Sequence, residues 1–305
     1  MIRVSAGTAN VLGLNPLQSD VRPTTGYFLT GGRCEAACAF CPQSSGTGAR
    51  LSRITWPQYS LPEVLQALTN PSPLKRLCFQ ASYSSGWYPS ILLLLSALQE
   101  HKITVPVCVS CRPGSLGEVK GVLDAGADRV SIALDACTRE VAAAVGRSWD
   151  DTWSLLCQAA RAFPGRIGTH LIIGMGETER EAVECVQQTL RHGIHTALFA
   201  FTPIRGTVMA EKNPPPVGLY RRVQAALYLL KQDPHRRLVF DTQDRLVLSE
   251  SEKDTLSPEA FETPGCPDCN RPYYNERPGG VLYNFPRRLS GQEFHSCMGE
   301  LENSP

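Results

Sequence analysis

From Tyr27 to Lys231 the chain alternates six times between a short apolar run and a longer stretch of helical periodicity. That alternation constrains the fold more than anything else in the sequence. A helix between successive strands returns the chain to where the next strand begins, so the strands lie parallel and the crossovers are right-handed. Strands are expected at Tyr27–Thr30, Arg76–Gln80, Thr104–Ser110, Arg129–Leu134, Ile167–Ile173 and Thr196–Thr202. Helices are expected at Leu61–Leu68 (Ser60 as N-cap, Pro62 in the first turn), Pro89–Glu100, from Gly114 to Ala125, Arg139–Val145, Asp151–Phe163, Glu179–His192 and Leu219–Lys231. Six units without an internal repeat predict an α/β fold, a partial (β/α)6 barrel of the TIM type, with its chemistry on the loops that follow the strands.

Three segments follow. Residues 1–24 show no sustained period and read as a covering segment, 25–234 as the barrel, and 235–305 as an irregular extension. In the last, Pro234, Pro258, Pro264, Pro267, Pro272, Pro278 and Pro286 interrupt any helix, and Gly279-Gly280 marks a turn.

Gly31-Gly32 ends the first strand, and Cys34-Glu35-Ala36-Ala37-Cys38-Ala39-Phe40-Cys41 follows it. Three thiols at these spacings can converge on one centre, and thiolates are the soft ligands that iron–sulfur clusters take. Three ligands on a four-iron cluster leave one iron open to a small molecule. The alternative, a zinc knuckle, normally gathers four Cys or His ligands.

The net charge is +1 with 19% charged residues, so nothing in the bulk electrostatics points to nucleic acid or a membrane surface. The longest leucine run, Ile91–Leu95, is too short to span a bilayer. Met1–Asp20 lacks the layout of a signal peptide, so the expectation is a soluble, cytoplasmic protein. Twelve cysteines in such a chain argue for reduced thiols and metal ligation over disulfides. Cys108 and Cys111 form a pair, and the scattered Cys78, Cys137, Cys157 and Cys185 read as packing residues.

The C-x3-C-x2-C loop with Phe40 before its last cysteine resembles the signature of radical S-adenosylmethionine (SAM) enzymes. With Cys41-Pro42-Gln43-Ser44-Ser45 the likeness narrows to the biotin synthase branch, from about Tyr27 to Thr207. The resemblance implies a 4Fe–4S cluster on Cys34, Cys38 and Cys41, with SAM chelating the open iron and cleaved to a 5′-deoxyadenosyl radical. It further implies that Ile173-Gly174-Met175-Gly176 packs against the adenine, where glycines admit close backbone approach. Asp135 matches the acidic ribose-binding position, although an Asp there could instead cap the next helix with Thr138. Arg147 matches the arginine that meets the SAM carboxylate, or is a solvated surface group. Gln80 falls where backbone contacts to the methionine amino group are made, and Arg205 on a substrate-facing loop, Thr202–Thr207.

The departures matter as much. Biotin synthase holds a second cluster in its barrel with three cysteines and an arginine. Cys78 and Cys108 fall where two of those cysteines would be, but Gly168-Thr169-His170 replaces the third and no arginine matches. Cys78 and Cys108 are accordingly read as packing residues before ligands.

The stretch from Gly265 to Gly280, containing Cys266-Pro267-Asp268-Cys269, resembles the tail of the two-component lipoyl synthases. That likeness implies a second, sulfur-donating 4Fe–4S cluster on Cys266, Cys269 and Cys297, with Ser296, His295, substrate or an open position as the fourth ligand. A structural zinc on the three cysteines and His295 is the alternative. It also implies a protein-bound octanoyl-lysine as substrate, on an octanoylated carrier of the lipoyl-domain or glycine-cleavage H-protein type. A second radical SAM subunit and a low-potential electron donor complete the expected partners. Arg287-Arg288 could face an acidic carrier. Sulfur insertion by a biotin-synthase-like enzyme on dethiobiotin or another small molecule, or a non-catalytic iron–sulfur partner subunit, are the other readings.

Overall fold

The computed structural model describes all residues except 17–18, 32, 46–50, 277–278 and 304–305. The expected turn residue Gly32 and the break at Pro278 lie outside the described residues.

The six parallel strands are β2 (Thr25–Thr30), β4 (Arg76–Ala81), β5 (Val107–Cys111), β6 (Arg129–Ile132), β7 (Ile167–Ile173) and β8 (His195–Ala200). They follow one another across the sheet in chain order. The helices between them are α2 (Leu61–Thr69), α3 (Trp87–Glu100), α4 (Leu116–Asp124), α5 (Arg139–Ala144), α6 (Trp149–Ala162) and α7 (Glu179–Arg191), and α8 (Val217–Gln232) follows β8. Several begin where a short polar side chain satisfies free N–H groups. Ser60 with Glu63 and Thr178 with Glu181 form capping boxes. The main core lies between the sheet's outer face and these helices, around Phe28, Leu77, Phe79, Val109, Val130, Leu171 and Val186. The partial barrel expected from the alternation is the observed fold.

The first 24 residues are more than a cover. β1 (Ile2–Val4) pairs antiparallel with β2 on one side and with β3 (Gln58–Tyr59) on the other. A short helix, α1 (Ala6–Val11), carries its N-cap on Ser5, and Thr8 accepts a hydrogen bond from the Tyr27 N–H at 2.9 Å. A three-residue strand leaves no periodic signature, and only its partner reveals it.

The tail also departs from expectation. A small hairpin of β9 (Val239–Phe240) and β10 (Leu246–Val247) precedes α9 (Glu250–Thr255), and α10 (Gly291–Asn303) closes the chain. The described prolines fall between these elements, so they punctuate helices without preventing them. Ala225 and Leu229 of α8, with Phe261, Phe285, Cys297 and Leu301, form a second apolar core. The buried Arg221 guanidinium binds it together, donating to Glu300 at 2.7 Å and to the Tyr283 and Leu282 carbonyls at 2.6 Å.

Between these parts the segment from Gly265 to Asn275 fills the seam between β2 and β8, the first and last strands of the barrel. At the bottom, where strands begin, Thr24 and Thr25 donate to the Asp268 carbonyl at 2.6 and 2.8 Å. Arg76 donates to the Pro267 carbonyl at 3.0 Å, and the His195 ring donates to the Gly265 carbonyl. Higher up, Asn275 donates to the Ala200 carbonyl and to Thr202, both at 2.9 Å. The tail therefore plugs the open seam and floors the barrel.

Candidate active site

Inside the barrel is a cavity of about 300 Å³. Its mouth is formed by the loop after β2. Cys38 is buried and Cys34 and Cys41 are half-buried, and all three line the cavity with Phe40. The loop is held by main-chain bonds: Glu35 N–H to Tyr83, Ala39 N–H to Val145, and Met209 N–H to the Ala39 carbonyl. Gly146, in the left-handed region, lets its backbone approach Ala37; a Cβ there would lie 3.3 Å from the Ala37 carbonyl. Burial raises the Cys38 thiol and pushes Cys41 up to about 12. Three soft donors on one loop, one buried and two half-buried, fit a cluster that leaves one iron open.

Asp135 and Arg147 are buried at the same mouth and paired at 3.0 Å. Asp135 also accepts from His170 at 2.7 Å. Burial alone would raise the Asp135 carboxyl, but Arg147 and His170 outweigh it and hold the group below the usual carboxylate range. The N-cap of α5 is Thr138, which accepts from Val141, so Asp135 is not the capping residue. Arg147 is not a solvated surface group: it also donates to the Ala133 carbonyl. Gln80 lines the cavity and donates to the Tyr274 hydroxyl at 3.3 Å.

The strand end at residues 173–176 sits differently from what its motif suggests. Ile172 lines the cavity, whereas Ile173 points into the core between sheet and helices. The N–H groups of Gly174, Met175 and Gly176 converge on the Glu177 carboxylate at 2.5, 3.1 and 3.0 Å. Met175 is buried in an apolar cluster that Phe40 and Ala39 pack against. Gly174 has φ +99°, and a Cβ on it would meet Pro215 at 2.8 Å.

A second group of thiols lies deeper. β4 and β5 pair Cys78 directly with Cys108, on the face that lines the cavity. Cys266 and Cys269, brought up by the tail, line the same cavity. Tyr27 Oη and Cys269 Sγ are 3.5 Å apart, and Arg76 donates to Cys108 Sγ at 3.2 Å. The neighbouring Cys108 thiol and burial raise the Cys266 thiol, and burial raises Cys78 and Cys269.

Cys297 does not join them. It is buried on α10 in the second core among Phe261, Phe285 and Leu301, none of which lines the cavity. His295 and Ser296 share that helix, so the expected Cys266–Cys269–Cys297 set, as cluster or as zinc site, is not brought together. The tail's likeness to the lipoyl synthases grouped Cys297 with the C-x2-C pair; packing against α8 takes it elsewhere. Arg287 is likewise engaged, bonding both oxygens of Glu293 at 2.7 and 2.9 Å, and Arg205 is exposed.

Among the cavity residues that the sequence reading did not name as site residues are His170, Arg271, Tyr274 and Phe199. The two-residue period of β7, which turns His170 and Ile172 to one face, was the available signal for the first. Arg271 and Tyr274 had none, because they belong to an irregular segment.

The family model of the radical SAM superfamily matches residues 28–188, more than half of the chain. This chain is a radical SAM protein. The superfamily implies a 4Fe–4S cluster and SAM, and the Cys34–Cys41 loop is where this member has the thiols for it. Comparison with curated proteins returned no match. Among solved structures, methylornithine synthase (PylB) superposes with a TM-score of 0.52 at 13% identity, covering 67% of this chain and 60% of that one. HydG, a maturase of the [FeFe]-hydrogenase, gives 0.55 at 10% identity, covering 69% and 50%. The HydG of Carboxydothermus hydrogenoformans gives 0.54 at 12%, covering 68% and 51%. The radical SAM chain thus spans half to three-fifths of these structures, and at such identities the likeness establishes the fold. Among its described residues no helix is long and apolar enough to cross a membrane.

Proposed function

We propose that this radical SAM protein inserts sulfur at an unactivated C–H bond of an octanoyl group carried on a lysine of a carrier protein, as one component of a two-component lipoyl synthase. The observation that carries the reading is that one cavity has thiols at both ends. Cys34, Cys38 and Cys41 are at its mouth, and Cys78, Cys108, Cys266 and Cys269 near its floor. When bound, the SAM cluster and SAM supply the hydrogen-abstracting radical, and a second cluster supplies sulfide.

The chain's own residues do the rest. Cys78 lies three residues below the end of β4, so on the order of 10 Å of strand separates the two groups, room for part of an extended acyl chain. Leu29, Phe199, Phe201, Ile172 and Ile204 give that space apolar walls, which suit an alkyl chain and keep water from a reactive carbon. Asp135 and Arg147 would orient SAM through their remaining hydrogen-bonding capacity. Holding the carbon beside the sulfur source makes capture intramolecular. A second radical SAM subunit, a low-potential electron donor and an octanoylated carrier protein are the partners this chemistry asks for.

The test is an anaerobic mass-spectrometric assay of reconstituted protein with SAM and reductant, offered an octanoyl-lysyl peptide and dethiobiotin side by side. Gain of sulfur on the peptide, lost in Cys266→Ala, supports the reading. Sulfur in dethiobiotin alone overturns it in favour of a biotin-synthase-like enzyme. Deoxyadenosine without sulfur in either compound overturns sulfur insertion.

A further inference from the structure

We infer that Cys78, Cys108, Cys266 and Cys269 together form a second iron–sulfur site, assembled half from the barrel and half from the tail, and that Cys297 is no part of it. The inference deepens the reading above, whose sulfur donor it specifies.

Two observations carry it. The first is convergence. Cys78 and Cys108 are cross-strand partners with side chains on one face. The Cys266–Cys269 turn is closed by a hydrogen bond from the Cys269 N–H to the Cys266 carbonyl at 3.0 Å. That turn is fixed against the bottom of the barrel at Thr24, Thr25, Arg76 and His195. Segments nearly two hundred residues apart in the chain are bolted together so that their thiols share one pocket. A packing role for four cysteines would not require so polar and specific an anchorage.

The second is charge. Arg271 is buried at 7% exposure and lines the same cavity. Its Nη2 donates to the Leu198 and Pro264 carbonyls, and its guanidinium lies 3.7 Å from the Phe199 ring centre. Its Nε and Nη1 are buried without a hydrogen-bond acceptor among the described residues, and the buried Glu276, whose carboxylate is taken up by the Asn275 and Asn284 N–H groups, acts on it only through its charge. A buried cation left in this state is expensive. A thiolate-ligated cluster carries net negative charge and accepts hydrogen bonds at sulfur, so it supplies what Arg271 lacks. Arg76, which already donates to Cys108 at 3.2 Å, stands on the other side.

The test is iron and acid-labile sulfide counted after anaerobic reconstitution of the full chain, in a background where Cys34, Cys38 and Cys41 are all Ala. That background should retain iron, sulfide and the visible absorption of a cluster. Adding Cys78→Ala, Cys108→Ala, Cys266→Ala or Cys269→Ala should lower retention roughly tenfold or more, whereas Cys297→Ala should leave it unchanged. Thermal melts by circular dichroism identify any variant that has lost its fold. Arg271→Met keeps all four thiols and should lower the cluster's reduction potential, with Arg271→Lys restoring much of it. Absence of iron and sulfide from the background protein overturns the inference, as does zinc without sulfide or dependence on Cys297. The count uses no acyl substrate, so failure of the sulfur-insertion assay leaves it standing, and failure here leaves the substrate to its own assay.

Discussion

Asp135 and Arg147 meet at 3.0 Å with both side chains almost wholly buried, twelve residues apart on opposite flanks of α5. The helix between them is short enough that the loop after β6 and the turn after α5 close on one another at the cavity mouth. That closure also brings Val145 against the cysteine loop. The pair thus ties the cysteine loop's neighbourhood to the fold.

Breaking that pair from one side strands a buried charge. Asp135→Asn keeps the left-handed backbone that Asp135 occupies (φ +66°) and should cost about 3–5 kcal/mol in urea unfolding. Asp135→Asn combined with Arg147→Met should cost less than the sum of the single changes by about 1 kcal/mol or more. Additive losses would show that the pair is not coupled.

Gly174→Ala places a methyl 2.8 Å from Pro215 at a φ of +99° and should destabilise by about 2 kcal/mol or more. Gly13→Ala has a similar left-handed φ of +72° but nothing within 4 Å, so it should cost only about 1–2 kcal/mol. The difference between the two unfolding midpoints measures the close approach itself.

His195 is held below its ordinary pKa, chiefly by burial, where its ring donates to Gly265 at the root of the C-x2-C turn. The unfolded chain therefore binds this proton more readily than the folded one. Stability should be full above the unfolded value of about 6.5 and fall as pH drops below it, by at most about 1.4 kcal/mol per pH unit. Urea midpoints between pH 7.5 and 5.5 should show this decline in the wild type and a flatter profile in His195→Asn.

Cys34→Ala, Cys38→Ala and Cys41→Ala should each reduce reductive SAM cleavage to background, measured as deoxyadenosine. Cys297→Ala should leave cleavage intact, because that thiol lies in the second core. Loss of cleavage in Cys297→Ala without loss of fold would contradict the placement of the cavity.

The barrel was legible because its signals are local. Apolar runs such as Ile167–Ile173 and capped helices such as α7 announce themselves within one segment. β1 and α10 were not legible: three residues carry no period, and α10 is held mainly by what it packs against on α8. The same division runs through the site. Cys34, Cys38 and Cys41 lie within one short loop, so spacing alone named them. Ile173 was assigned to the cavity and Ile172 was not, because a motif reports an approximate position and the strand pleat decides which neighbour faces inward.

The sequence by itself determined the strand–helix alternation, the position of the cysteine loop after the first strand, and the presence of further thiols in the tail. Only the tertiary structure decided which of those thiols meet. It withdrew Cys297 into an apolar core and set Cys266 and Cys269 beside Cys78 and Cys108 in one cavity, with a buried Arg271 whose Nε and Nη1 lack an acceptor among the described residues. The reason is physical. Which distant side chains become neighbours depends on the packing of whole elements and on the bonds that pin an irregular segment, and neither leaves a periodic trace in the chain.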